Sequence, residues 1–81
     1  MRIRLLYFAL VAEIAGCQHE EMEVGDATSA GEVLLKVVDR YPRLGTPGFQ
    51  PLLAVNREHA SPEREVREGD EVAIFPPVAG G

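Results

Sequence analysis

The chain has one cysteine, one lysine, no tryptophan and no long apolar run, and each shortage closes off a class of function. A lone thiol, Cys17, cannot form an internal disulfide, so the fold is not stapled covalently and a reducing, cytoplasmic setting is expected. The longest uninterrupted apolar stretch, Leu5 to Ala12, is far below the roughly 20 residues that cross a bilayer. At the N-terminus Arg2 and Arg4 alternate with Ile3 and Leu5, which reads as a strand and not as a signal peptide. Seven arginines and Lys36 stand against 13 acidic residues, for a net charge of −5. Without a basic cluster the chain lacks the phosphate contacts that dominate nucleic-acid affinity. Its acidity suits a basic protein surface instead.

The usual signatures of an active site are also missing. His19 and His59 lie forty positions apart and, with one cysteine, match no zinc-ligand spacing. There is no glycine-rich phosphate loop and no nucleophile elbow. Cys17 and His19 are two apart, which on a strand would put them on one face, but a lone thiol near a hairpin edge is usually structural. The expectation is a domain that binds no metal or cofactor and catalyses nothing alone. The pattern assigns no role to Cys17, His19 or His59.

What is present is enough for one domain. A chain of 81 residues buries about 60–65% of the surface it exposes when unfolded, so its core is small. Arg2 to Phe8 reads as a strand with Ile3, Leu5 and Tyr7 on one face and Arg2, Arg4, Leu6 and Phe8 on the other. Ala9 to Ala15 fits a short helical turn ended by Gly16. Gln18 to Val24 fits an edge strand kept soluble by Glu20, Glu21 and Glu23. Ser29 and Glu32 form a capping box, after which Ala30, Val33, Leu34, Val37, Val38 and Tyr41 recur at helical spacing until Pro42. Glu32 and Lys36 are spaced for an ion pair on the outer face. Leu44 to Pro51, rich in glycine and proline, reads as a loop. Leu52 to Asn56 is a buried strand, His59–Ala60 a short return strand, Glu68–Asp70 a turn and Glu71–Phe75 the last strand. One amphipathic helix against a mixed sheet, with the first and last strands central, is an α+β roll of the β-grasp type.

The division expected is a domain over 1–75 and a flexible tail over 76–81. Pro76 and Pro77 end strand pairing and stiffen the root, and six residues reach about 20 Å. Gly80-Gly81 carries no side chains, so it can thread a narrow channel and present a carboxylate to another protein. That carboxylate is a poor electrophile until activated, for instance as an acyl-adenylate. The face opposite the helix collects Leu6, Phe8, Ala73 and Phe75, too many apolar groups for one helix to cover. Either a partner docks there, or loop 42–51 folds over part of it.

Arg4-Leu5-Leu6-Tyr7-Phe8-Ala9, Leu53-Ala54-Val55-Asn56 and above all Glu68-Gly69-Asp70-Glu71-Val72-Ala73-Ile74-Phe75-Pro76-Pro77-Val78-Ala79-Gly80-Gly81 resemble the small, sulfur-carrier subunits of molybdopterin synthase, within the ubiquitin-like β-grasp superfamily. The resemblance runs over the whole chain. It implies that an adenylating enzyme similar to ubiquitin-activating enzymes uses ATP to activate the carboxylate of Gly81, and that a sulfur donor converts it to a thiocarboxylate. The tail, with Gly80 as its channel residue, then delivers sulfur in the large synthase subunit to cyclic pyranopterin monophosphate, making molybdopterin. The implied assembly is a heterotetramer. Phe8 and Phe75, with Leu6, Pro76 and Pro77, fall where such carriers dock their partners. His59 stands nearby, where an apolar residue is more usual. The thiamin-pathway sulfur carriers share the fold and the Gly-Gly end. A ubiquitin-like protein modifier, or an interaction domain with an inert tail, are the other readings.

Overall fold

Alternation along the first strand sets the architecture. In the computed structural model, which describes residues 1–47 and 49–77, β1 (Arg2–Tyr7) buries Ile3, Leu5 and Tyr7 and leaves Arg2 and Arg4 exposed. The chain then turns into α1 (Leu10–Ala15), which buries Val11 and ends at Gly16. Gly16 adopts a φ of 78° and its N–H donates to the Ala12 carbonyl, the left-handed cap that glycine takes without a Cβ clash. β2 (His19–Glu23) returns antiparallel to β1. It is shorter than Gln18–Val24, although Val24 N–H still donates to Met1 O and Gln18 O still accepts from Tyr7 N–H.

Helix α2 (Ala30–Arg40) carries the expected capping box, with Ser29 Oγ accepting from Glu32 N–H and Glu32 Oε1 accepting from Ser29 N–H, both at 3.2 Å. Ala30, Val33 and Val37 are its buried stripe. The expected Glu32–Lys36 pair is absent from the ion pairs among the described residues. The Glu32 carboxylate is committed to Ser29, and that cap outweighs an exposed pair at helical spacing. After α2, Pro42–Gly45 winds into a 3₁₀ turn instead of open loop, and Leu44 is buried by it.

β3 (Leu52–Val55) and β4 (Glu58–His59) form a hairpin whose two turn residues, Asn56 and Arg57, both have positive φ, at 50° and 70°. That is the turn geometry whose twist matches paired strands. The return strand is thus one residue earlier than His59–Ala60. β5 (Glu71–Phe75) inserts between β1, which it meets in parallel, and β3, which it meets antiparallel. The sheet order is β2-β1-β5-β3-β4. The first and last strands are therefore central, as the sequence pattern required. Segment 62–66 straps the start of α2, with Ala30 and Gly31 N–H donating to Arg64 O and Pro62 O and with Val66 buried beneath it.

A polar clamp closes the helix side. Glu20 pairs with Leu5 across β2 and β1, so it faces α2. One of its carboxylate oxygens accepts from Tyr7 Oη at 2.5 Å and from Tyr41 Oη at 2.7 Å, and the other lies 3.2 Å from Arg40 Nη1. Burial alone would raise the Glu20 pKa, but the two tyrosine hydrogen bonds and Arg40 outweigh it and hold the carboxyl below its ordinary value. Burial first, and then the bond to Glu20, push Tyr41 up to about 12 and raise Tyr7 as well.

Candidate functional site

Strand register decides what the uncovered face carries. Because β1 and β5 each turn alternate residues toward α2, the remaining residues share the opposite face. Leu6 sits beside Ala73, Ala73 beside Ala54 and Ala54 beside His59. The next row toward the end of β5 pairs Phe75 with Leu52. Phe8 joins that end because its N–H donates to the Ile74 carbonyl, continuing the β1–β5 ladder one step past β1. Ala9 follows at φ 50°, a strained value for a residue with a Cβ, and turns the chain away into α1.

Three rings then stand side by side across the sheet. Phe8 meets Phe75 edge-on at 6.5 Å, and His59 meets Phe75 edge-on from the other side at 5.9 Å. Such T-shaped contacts fix ring direction as well as adding attraction. Phe8 nevertheless remains 48% exposed, and Phe75 is half-buried. The opposite end of the same face is ionic: Arg4 stands between Glu21 and Glu71, and Arg2 Nε lies 2.9 Å from Glu23. The face is thus apolar only where β5 leads into Pro76 and Pro77. Pro76 is half-buried and Pro77 exposed.

The structure therefore brings Leu6, Phe8 and Phe75 together on one face at the end of β5, with Pro76 and Pro77 directly after them. Gly80 and Gly81 lie outside the described residues, as does the remainder of the 76–81 tail beyond Pro77. Of the described residues of loop 42–51, Leu44 is buried in the core and Phe49 packs against it. Leu52 and Ala54 belong to the same face but were not expected there, while His59 stands beside Phe75, next to the docking residues as the resemblance implied. Period-two alternation of Leu52-Leu53-Ala54-Val55 signals the first two once β3 is known to lie beside β5. Cys17 lies in a bend before β2, not on the strand with His19, and packs half-buried against the core. Among the described residues no three His, Cys, Asp or Glu side chains are grouped to hold a metal ion. No described helix is long and apolar enough to cross a membrane.

A five-strand mixed sheet gripping one main helix, with its first and last strands central, defines a ubiquitin-like β-grasp domain. The chain belongs to the ThiS family, whose model matches residues 5–81. It is 35% identical over 83 residues to the molybdopterin synthase sulfur carrier subunit of Chlamydomonas reinhardtii, covering 100% of both chains. It is also 35% identical, over 82 residues, to the molybdopterin synthase sulfur carrier subunit of Mycobacterium tuberculosis, covering 100% of this chain and 99% of that one. Among solved structures it is similar to small archaeal modifier protein 1 of Haloferax volcanii, with a TM-score of 0.85, 29% identity and 100% of each chain covered.

Proposed function

We propose that this chain is the sulfur-carrier subunit of a molybdopterin synthase, with sulfur carried as a thiocarboxylate on Gly81. The observation that carries the reading is the aromatic face at the root of the tail. It gives a partner something to grip beside the segment it must handle. End-to-end likeness to the algal and mycobacterial carrier subunits supplies the pathway.

In this reading a carboxylate oxygen of Gly81 attacks the α-phosphorus of ATP on an adenylating enzyme, and pyrophosphate leaves. Sulfide-level sulfur (HS⁻) released by a donor then attacks the acyl carbon, losing its proton, and AMP leaves with one of the two carboxylate oxygens. The resulting C–S group is a soft nucleophile at the end of a side-chain-free tail. Leu6, Phe8, Phe75, Pro76 and Pro77 seat the domain on the large synthase subunit, and Gly80 lets the tail pass into its site. Sulfur passes there to cyclic pyranopterin monophosphate, and two carriers serve each dithiolene. The domain contributes the reactive group and the docking face, while its partners contribute the catalytic residues.

Likeness to an archaeal modifier protein favours a second reading, in which the activated Gly81 is captured by a lysine of another protein. Intact mass separates the two. After incubation with adenylating enzyme, ATP and a sulfur source, the carrier should gain one sulfur in place of one oxygen. A chain lacking Gly81 should show no gain and yet unfold at the same temperature. Adding the large subunit and cyclic pyranopterin monophosphate should return the original mass. No mass gain with a competent adenylating enzyme would overturn the carrier reading, and conjugates to lysine would establish the second.

A further inference from the structure

His19 and His59, the only histidines of the chain, stand at opposite ends of one row across the whole sheet. His19 of β2 pairs with Leu6 of β1, Leu6 with Ala73 of β5, Ala73 with Ala54 of β3, and Ala54 with His59 of β4. Directly paired residues point to the same side, so all five belong to the face turned away from α2. Strands lie about 4.8 Å apart, which makes the row about 19 Å wide. Both histidines are exposed, and between them lie the half-buried Leu6 and the buried Ala73 and Ala54, all apolar.

We infer that docking on this face is linked to protons: the partner that takes the tail covers the row with both imidazoles neutral, and acid weakens its hold. The inference rests on the reading above, with the large synthase subunit as that partner. The tail itself argues for this occupant. Its six residues reach at most about 20 Å from the end of β5, so a protein working on Gly81 is held close to Phe75. The row and the tail's reach are of the same size. A neutral His59 continues the apolar surface of the partly exposed Leu52 and Phe75, whereas covering an imidazolium costs its hydration. Histidine is the side chain whose charge changes between about pH 5 and 8.

Few charges stand ready to offset those protons. Toward His59, β3 brings Leu52 and Ala54 and β5 brings Ala73 and Phe75, none of them titratable. Its own hairpin supplies Arg57 and Glu58, the latter 3.6 Å from Arg64. Farther along the face, β5 contributes Glu71 beside Arg4 of β1. Toward His19, β1 brings Leu6 and Phe8, and α1 brings Ala12 to the same hollow. Tyr7, also at that hollow, gives its hydroxyl to Glu20 on the helix side. On β2 the next residue of the face is Glu21, 3.7 Å from Arg2 and paired across the strands with Arg4.

Titration calorimetry of the full chain with the large subunit, at about pH 8 and about pH 5.5, tests this. The parent affinity should fall at least about fivefold between the two, since each imidazole that must be neutral costs up to tenfold per pH unit below its midpoint. The readout is that ratio. In a chain carrying both His19→Gln and His59→Gln it should collapse toward one, and the single variants should fall between. In paired buffers of different ionisation enthalpy at about pH 6, binding of the parent should release protons that the double variant does not. Equal pH dependence in parent and double variant, or tighter binding in acid, would overturn the inference alone. Absence of binding at about pH 8 by the parent would remove the large subunit as partner, and the inference with it.

Discussion

The two faces of the sheet are built from the same strands and have opposite fates. On the helix side Ile3, Leu5, Val55, Val72 and Ile74 are sealed beneath Val33, Val37 and Leu44. On the other side Phe8, Phe75 and His59 form a ring contact in which Phe8 and His59 are exposed. In a domain this small, every apolar group left in water is stability forgone. An aromatic row left partly in water at the end of the last strand suits the docking role proposed for it. The helix side determines whether the domain exists, and in the proposed function the far side determines what it meets.

The sharpest way to break that division is to cut the same strand on each face. Leu5→Ala removes a fully buried side chain from the centre of the helix side and should cost about 2–5 kcal/mol in denaturant unfolding. In so small a domain that approaches the whole margin. If the loss were below about 1 kcal/mol, the helix side would not be the structural face.

Glu20→Gln comes next, at about 2 kcal/mol, because two tyrosine hydroxyls and Arg40 converge on one carboxylate that is 23% exposed. Its pH signature has a fixed sign. The folded-state pKa lies below the ordinary 4.5, so the contribution is complete above that value and disappears as the pH falls through it toward the lower folded value. Tyr41 behaves oppositely: its folded pKa is raised from 10.0 to about 12, so stability is complete below pH 10.0 and is lost as the pH climbs toward about 12. The Gln variant should flatten the acid limb of a thermal-midpoint profile. An unchanged limb would place acid sensitivity elsewhere among the carboxylates.

Phe75→Asp probes the other face. Affinity for the large subunit should drop at least about tenfold, while the unfolding free energy should fall by less than for Leu5→Ala because the ring is partly exposed. A stability loss matching that of Leu5→Ala would make Phe75 a core residue and dissolve the comparison.

How much of this was legible beforehand follows from the range of each signal. Local patterns were readable: Ser29 and Glu32 mark the start of α2, Gly16 the end of α1, and alternation assigns Ile3 and Phe8 to opposite faces. Leu6, Phe8 and Phe75 were readable as a patch because they sit on the two central strands. Features that depend on register between distant segments were not. Whether His59 stands beside Phe75 depends on a β3–β4 turn of two residues, Asn56 and Arg57, and a three-residue turn would have sent it to the other face. Glu20 read as a charge on an edge strand, and only the meeting of β1, β2 and the end of α2 reveals it as a clamp. Leu44 looked like loop because glycine and proline around it hide a single apolar residue that the 3₁₀ turn folds inward.

Ala9 sits at the hinge between the faces and carries the smallest effect. Its φ of 50° directs the chain from β1 into α1, leaving Phe8 on the docking side while Val11 enters the core. An alanine held there stores strain of about 1 kcal/mol or somewhat more. Glycine would release that strain but add about 0.5–1 kcal/mol of unfolded-chain entropy. The two nearly cancel, so Ala9→Gly should leave stability within about 0.5 kcal/mol of the parent. Ala12→Gly, inside α1, has no strain to release and should lose about 1 kcal/mol. Denaturant unfolding compares the two, with the Ala12 loss also including the packing of its methyl group against the core while the Ala9 methyl is exposed. Equal losses would mean that Ala9 is relaxed, and that Phe8 is held on its face by the Phe8–Ile74 hydrogen bond and the Phe75 ring instead.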